Sequence, residues 1–334
     1  MSSRSFDGRA RAESALRPGP FLLRKPTRPG GVELQPVEQS LGTHYDTNWA
    51  RRYPARLARA VVLDNLTGPL LKAGCKPTVF GREHLDPLEL PVIIAANHSS
   101  HLDTALLLSC LPSPIRHHAV VAAAADYFFD RKLKATASAF ILGAIPMERT
   151  KVNRRSADLS AELIDDGWNL VIFPEGGRTP DGWGQEFKGG AAYLAKRCSV
   201  AVVPVHIRGT RAIIAKGSSK LRPGSTEVRF GDPLWPSSDE DARRFATRIE
   251  QAVALLADEA ETDWWSARRR AGAGATPSLR GPEASPWRRS WALAESADPT
   301  PRRTHVQEAS SRDVVARMRQ VRGSVPSWPR KSSD

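Results

Sequence analysis

Cysteine, methionine and long apolar runs are all scarce in this 334-residue chain. The three cysteines, Cys75, Cys110 and Cys198, are scattered, odd in number and free of any C-x-x-C spacing. Neither a disulfide framework nor a thiolate zinc site is implied, and they read as reduced, buried thiols. The longest interior charge-free apolar stretch, between Lys134 and Glu148, has 13 residues, short of the roughly 20 that a spanning helix needs. The opening segment MSSRSFDGRARAESALRPGPF lacks the apolar centre of a signal peptide, so the expected location is cytoplasmic. No internal repeat is visible.

What the chain has in excess is positive charge, with a formal net of +13. Its distribution matters more than its size. Residues 1–45 hold 7 Lys/Arg against 4 Asp/Glu and residues 268–334 hold 14 against 6, leaving 28 against 26 for residues 46–267. A nearly neutral middle between basic ends argues against a nucleic-acid-binding surface and suits a catalytic domain held at an anionic membrane, where each Lys/Arg near the headgroups contributes about 1 kcal/mol. Solvated, disordered arms account for the same charges.

The ends are poor in apolar periodicity and rich in breakers: PGP and PTRPGG before residue 45, then RRRAGAGATP, GPEASP and DPTPRR after 268. Such compositions bury too little apolar surface to fold. The expected organisation is therefore a disordered arm over 1–45, a folded domain over 46–267, and a mostly disordered, basic, Trp-containing tail over 268–334. One short helix is expected within that tail, in SSRDVVARMRQV, where Val314, Val315, Met318 and Val321 fall opposite Arg312, Arg317 and Arg319 behind a Ser311 cap. With Trp264, Trp265, Trp287, Trp291 and Trp328 among the arginines nearby, contact with a membrane surface is a reading of this region.

Between the ends, short β-branched runs alternate with longer helical patterns. VIIAAN (92–97), HAVVA (118–122), LVIFPE (170–175), AVVPVHI (201–207) and TEVRFG (226–231) read as strands. Helices are expected near 55–73, 103–111, 126–140, 154–167, 189–197 and 239–260. The alternation predicts an α/β fold: one layered domain with a mostly parallel central sheet flanked by helices.

Two strand ends carry chemistry. VIIAAN runs into NHSSHLD, placing Asn97, His98 and Asp103 at a strand-to-helix junction. Five residues apart, His98 and Asp103 would not face one another on a regular helix. With His98 in the loop and Asp103 in the first helical turn, the carboxylate can hold one imidazole nitrogen and leave the other as a base toward a hydroxyl. A histidine that merely caps the helix is the plainer alternative. LVIFPE runs into GGRT, where Glu175, Gly176, Gly177 and Arg178 offer a tight turn, an acceptor for a substrate hydroxyl and a bidentate donor for a phosphate. A turn closed by a salt bridge explains that segment equally well. Lys188 precedes a helix whose first N–H groups suit an anion. Pro204, within a run of valines, is expected at a strand edge or bulge and not in a central ladder.

Taken together, NHSSHLD, GAIPMER, FPEGGRT and VVPV, in this order, resemble the four motif blocks of the glycerolipid acyltransferase family, typified by 1-acyl-sn-glycerol-3-phosphate acyltransferases. The resemblance spans residues 55–235. It implies His98 as general base with Asp103 as its orienting partner, and Arg149, Glu175, Gly176, Arg178 and Lys188 around the acceptor. It implies a fatty acyl group moved from acyl-CoA or acyl carrier protein to the hydroxyl of a lysophosphatidic acid-like glycerophospholipid, in phospholipid biosynthesis, with no metal or other cofactor and no nucleic-acid partner. Glycerol 3-phosphate, another lysophospholipid or a glycolipid is the alternative acceptor. Metal-dependent hydrolysis through His98, His101 and Asp103, and a non-catalytic membrane or nucleic-acid binder, are the rivals from other classes. Family members often carry strongly hydrophobic helices ahead of the first block, whereas LARAVVLDNLTGPLL is interrupted by Arg59, Asp64 and Pro69, which implies peripheral membrane association. Gly177 stands where Thr is common, and Met147-Glu148 precede Arg149 where an apolar residue and Asp are frequent.

Overall fold

A computed structural model describes residues 42, 45–148, 154–214, 222–285 and 287–289. The expected helix over 311–321, Trp291 and Trp328 lie outside these residues, as does the arm before residue 42.

The sheet has seven strands: β1 (Pro77–Phe80), β2 (Ile93–Ala96), β3 (Ala119–Ala124), β4 (Ala144–Met147), β5 (Asn169–Ile172), β6 (Val202–Arg208) and β7 (Thr226–Phe230). Their spatial order is β1-β7-β6-β2-β5-β3-β4. Every pairing is parallel except β6–β7. The helices in chain order are α1 (Tyr53–Val62), α2 (Gly68–Cys75), α3 (Leu102–Cys110), α4 (Ser113–His117), α5 (Ala125–Phe128), α6 (Lys132–Leu142), α7 (Arg154–Asp165), α8 (Gly190–Cys198), α9 (Thr210–Ile213), α10 (Ala242–Glu261) and α11 (Trp264–Gly272). This is the layered, mostly parallel α/β fold that the alternation predicts.

The central strands are buried on both faces, because helices cover each side. Ile94, Ala96, Val121, Val203 and Val205 pack with α3 side chains Leu106 and Leu107. Ile93, Ala95, Leu170, Ile172 and Val202 pack with Leu163 and Ile164 of α7, Leu194 of α8 and Phe245 of α10. Uniform burial is why these strands read as continuous apolar runs rather than as alternating patterns. At the far edge of the strands, buried Asn169 accepts from the Val92 N–H at 3.0 Å and donates to the His118 carbonyl at 3.2 Å, tying β2, β3 and β5 at their start. Cys75 and Cys110 are buried and Cys198 is half-buried; burial pushes all three thiols up.

Several elements differ from the sequence reading. β1 and β4 are strands that short length and Pro77 and Pro146 conceal; both lie at sheet edges, where a missing N–H costs no ladder bond. The helix expected over 126–140 is broken at Phe129, whose ring turns inward beside Ala135 and Tyr45. Pro204 does sit in a central strand, opposite Ala95 of β2. Its missing N–H falls where the β6–β7 pairing is interrupted: the ladder runs from Val205–Phe230 onward and resumes only at the Val202–Leu234 bridge. In that gap Gly231 N donates to the Pro204 carbonyl at 2.9 Å.

The folded contacts also pass the boundary set at 267. α11 is capped by Asp263, which accepts from Ser266 N at 3.0 Å, and Arg270 pairs bidentately with buried Asp258 of α10 at 2.6 and 2.7 Å. Leu279, Gly281 and Arg289 then lie against the loop at 181–187. Composition hid this because the segment is held by backbone and ionic contacts, with little apolar periodicity of its own.

Candidate active site

β2 is flanked by β5 and β6, with Ala95 opposite Ile172 and Ala96 opposite Val205. The loops leaving the carboxyl ends of β2 and β5 therefore start side by side, at the position where open α/β sheets bind ligands.

The loop after β2 begins with Asn97, whose side chain exchanges two hydrogen bonds with the Ile207 backbone: Nδ2 donates to the carbonyl at 2.9 Å and Oδ1 accepts from the N–H at 2.7 Å. This pins the loop to β6. His98 lies in the loop and Asp103 in the first turn of α3, and His98 Nδ1 is 3.0 Å from Asp103 Oδ2. The Asp103 side chain has no exposed surface and that of His98 is 15% exposed. Oδ2 also accepts from the N–H groups of Ser99 at 2.6 Å and Ser100 at 2.8 Å, and Oδ1 accepts from the Thr210 hydroxyl. A carboxylate held by three neutral donors has fixed orientation before the imidazole bonds to it. The histidine ring stacks on Phe173 with centroids 4.2 Å apart. With Nδ1 engaged, Nε2 is the nitrogen left for a substrate proton.

The turn after β5 meets this loop from the side. Glu175 is 3% exposed; Oε1 accepts from His98 N at 2.8 Å and Oε2 from Gln185 N at 2.9 Å. Burial pushes its carboxyl up to about 7 against the pull of those two backbone bonds. The expectation that Glu175 faces an acceptor hydroxyl is thus corrected: the carboxylate points inward and joins the two loops. Thr179 N donates back to the His98 carbonyl at 3.0 Å, closing the join. Gly176 has φ +71, and an added Cβ would lie 2.7 Å from Lys188 Nζ, so this glycine serves both the turn and the approach of the lysine. The Arg178 guanidinium is 5.8 Å from the Tyr127 ring centre. His98, Asp103, Glu175, Gly176, Arg178 and Lys188 are therefore gathered around adjoining loops; Arg149 lies outside the described residues.

Sequence reasoning missed Thr210 and Tyr127. Thr210 is fully buried and its hydroxyl also lies 3.0 Å from Ser99 Oγ; a Gly-Thr pair just past a strand end was its only signal. Tyr127 stacks on His101, its hydroxyl 3.1 Å from His101 Nε2, and Lys134 Nζ lies 3.6 Å from its ring centre. Desolvation together with the charges of Arg178, His98 and Lys134 pushes His101 down to about 4, which keeps it neutral. Among the described residues no three His, Cys, Asp or Glu side chains converge as metal ligands would.

The acyltransferase family model matches residues 76–208, which hold every block of this site. Residues 76–208 belong to the acyltransferase family. Relatives include a 1-acyl-sn-glycerol-3-phosphate acyltransferase of Chlamydomonas reinhardtii, 33% identical over 184 residues that cover 54% of this chain and 52% of that protein. A chloroplastic 1-acyl-sn-glycerol-3-phosphate acyltransferase of Brassica napus is 30% identical over 171 residues, 48% of this chain and 46% of the relative. The chain spans about half the length of these two relatives. The crystal structure of the 1-acyl-sn-glycerophosphate acyltransferase from Thermotoga maritima shares the fold with a TM-score of 0.51 and 24% identity, covering 65% of this chain and 88% of that one.

Proposed function

We propose that this member of the acyltransferase family moves a fatty acyl group from a thioester, acyl-CoA or acyl carrier protein, to the hydroxyl of a lysophosphatidic acid-like acceptor. The observation that carries this reading is the 3.0 Å contact between His98 Nδ1 and a wholly buried Asp103 carboxylate already fixed by three other donors. That arrangement presents Nε2 as a base of fixed direction. The acceptor oxygen attacks the thioester carbonyl while Nε2 takes its proton. Collapse of the tetrahedral oxyanion then breaks the C–S bond, and the imidazolium returns the proton to the departing thiolate. Asp103 holds Nδ1 and stabilises the imidazolium. Arg178 and Lys188, flanking the Gly176 turn, with Arg149, supply cations for the acceptor phosphate, each charge-assisted bond being worth roughly 1.5–3 kcal/mol.

The reaction is placed at a membrane surface. Tyr53, Leu57, Val61, Leu66 and Leu70 are each more than half exposed along α1 and α2. The five-residue step from Val61 to Leu66 would leave this face in an α-helix, but the π turn at Leu63–Thr67 restores it, because it absorbs one extra residue and lets Leu66 follow Val61 as an i+4 neighbour would. Exposed Arg52 and Lys72 flank the stripe, which fits an amphipathic segment lying in an anionic headgroup layer. No helix among the described residues is long and apolar enough to cross a membrane.

The test is thiol release from acyl-CoA with and without lysophosphatidic acid, in the wild type and His98→Ala. Acceptor-dependent release that disappears in the folded variant supports the reading. Equal release in both proteins removes His98 as the base, and release with glycerol 3-phosphate alone moves the assignment to that acceptor.

A further inference from the structure

The turn that presents Gly177 and Arg178 has little means of holding its own shape. Residues 176–186 contain Gly176, Gly177, Gly182 and Gly184 and form no helix or strand. Ordering each residue of such a segment costs roughly 1–2 kcal/mol of backbone entropy. Gln185 is its internal brace: its N–H reaches Glu175 Oε2, and its side-chain amide donates to the carbonyls of Gly177 at 3.2 Å and Arg178 at 3.3 Å. The residues on either side of Gln185 are in turn held by the chain beyond the matched family region.

Five contacts do this. Gly184 N donates to the Leu279 carbonyl at 2.8 Å. Gly281, at φ +68, lies flat on Trp183, so close that an added Cβ would fall 2.2 Å from the indole. Trp183 Nε1 donates to the Arg289 carbonyl at 3.0 Å, and Arg289 Nε donates to Asp181 Oδ2 at 2.7 Å. Below them, Arg280 pairs with Glu250 at 2.9 Å, and the other Glu250 oxygen accepts from Phe187 N at 3.0 Å. The loop is thus gripped at 181, 183, 184 and 187, on both sides of Gln185.

We propose that residues 279–285 and 287–289 are a positioning strap for the phosphate end of the acceptor site, with Trp183 and Arg289 as positioning residues that act on Gly177 and Arg178 through Gln185. The assignment rests on the acyl-transfer reading, and it extends the working site past the family region to a segment with no motif of its own. Arg289 acts through Asp181 and Trp183. Its effect falls first on the acceptor cations, because the Asp103 carboxylate has its own donors in Ser99, Ser100 and Thr210.

Two full-length variants test it: Gly281→Val, which drives a side chain into Trp183, and Arg289→Ala. Amide hydrogen exchange is followed across 175–187 and across α3, beside melting curves and kinetics with acyl-CoA and lysophosphatidic acid varied separately. Exchange should rise in 175–187 and not in α3. The acceptor KM should rise about tenfold, since a displacement near 1 Å costs up to a hundredfold, with the thioester KM unmoved and Arg289→Lys restoring the wild-type value. Unchanged exchange across 175–187 in both variants overturns the strap, as does an equal change in both KM values that tracks a lowered melting midpoint. Exchange decides the strap without any turnover, so a wild type inert toward every acceptor would count against the acyl-transfer reading and leave this measurement to stand alone.

Discussion

The functional groups of the two loops that build the site are oriented in opposite ways. The Asp103 carboxylate that orients His98 takes two neutral donors from Ser99 and Ser100, three or four residues away, and a third from distant Thr210, while the loop backbone is tied across the sheet by the Asn97–Ile207 pair and by Glu175. Around Arg178, the braces are Gln185, Glu175 and, behind them, residues 279–285 and 287–289, up to 108 positions removed in sequence. The first loop carries the proton chemistry, and the carboxylate at its centre is oriented mainly by local bonds. The second carries charge recognition and depends on the rest of the domain. Substitutions near His98 should consequently change kcat, and substitutions around Arg178 should change acceptor affinity.

The sharpest way to break this contrast is Asp103→Asn. The amide places N–H against donors that need an acceptor, and activity should fall about a thousandfold or more, in the range that general-base catalysis supplies. A smaller loss in steady-state turnover with a well-folded protein would show that the pair does not act as a unit. Next comes Glu175→Gln, which sets an amide N–H against either His98 N or Gln185 N. A buried donor left unmatched costs about 1–3 kcal/mol, so chemical denaturation should show that loss, with both kcat and acceptor KM affected because Glu175 belongs to both loops.

Glu175 also gives the contrast a pH signature. Its folded pKa, about 7, lies above the ordinary 4.5. A raised pKa means that the folded state holds the proton more tightly. The stabilising contribution is therefore full below 4.5 and is lost as pH rises through about 7. The slope from one proton is at most about 1.4 kcal/mol per pH unit. Stability curves between pH 4.5 and 7 should show this decline in the wild type and not in Glu175→Gln. Flat behaviour in both would mean that the carboxylate titrates elsewhere. Thr210→Val should cost about tenfold in kcat, close to one hydrogen bond to a charged group, with acceptor KM unchanged and Thr210→Ser retaining activity. The smallest effect is expected from Leu57→Glu on the exposed stripe: about tenfold weaker sedimentation with phosphatidylglycerol vesicles, from the apolar burial that one Leu forfeits, and no change toward a soluble short-chain acceptor.

The histidine–aspartate pair of the first loop was legible because the contacts that orient it are mostly local. A strand of β-branched residues followed by NHSSHLD is enough to place His98 in a loop and Asp103 in a first helical turn, and the observed bond needs little more. The second loop was only partly legible. FPEGGRT announces a tight turn with an acid and an arginine, but whether Glu175 faces a ligand or the interior depends on where Gln185 and His98 N lie, and no spacing rule contains that. β1 and β4 escaped notice for a related reason: edge strands of four residues bearing prolines look like loops until their partners are known. Residues 268–285 and 287–289 show the same limit, since their composition resembles an unfolded tail and their order comes from Trp183, Asp181 and Glu250.

By itself, then, the sequence determined the alternation of strands and helices, the parallel sheet buried on both faces, and the histidine–aspartate pair, because each follows from periodicity or from contacts within a few residues. Only the tertiary structure decided which way Glu175 points, that Thr210 closes the carboxylate, that the π turn keeps one apolar face along α1 and α2, and that residues 279–285 and 287–289 reach the site. The π turn aside, each of these is a pairing between segments far apart in the chain, and it exists only once the sheet has set their distance.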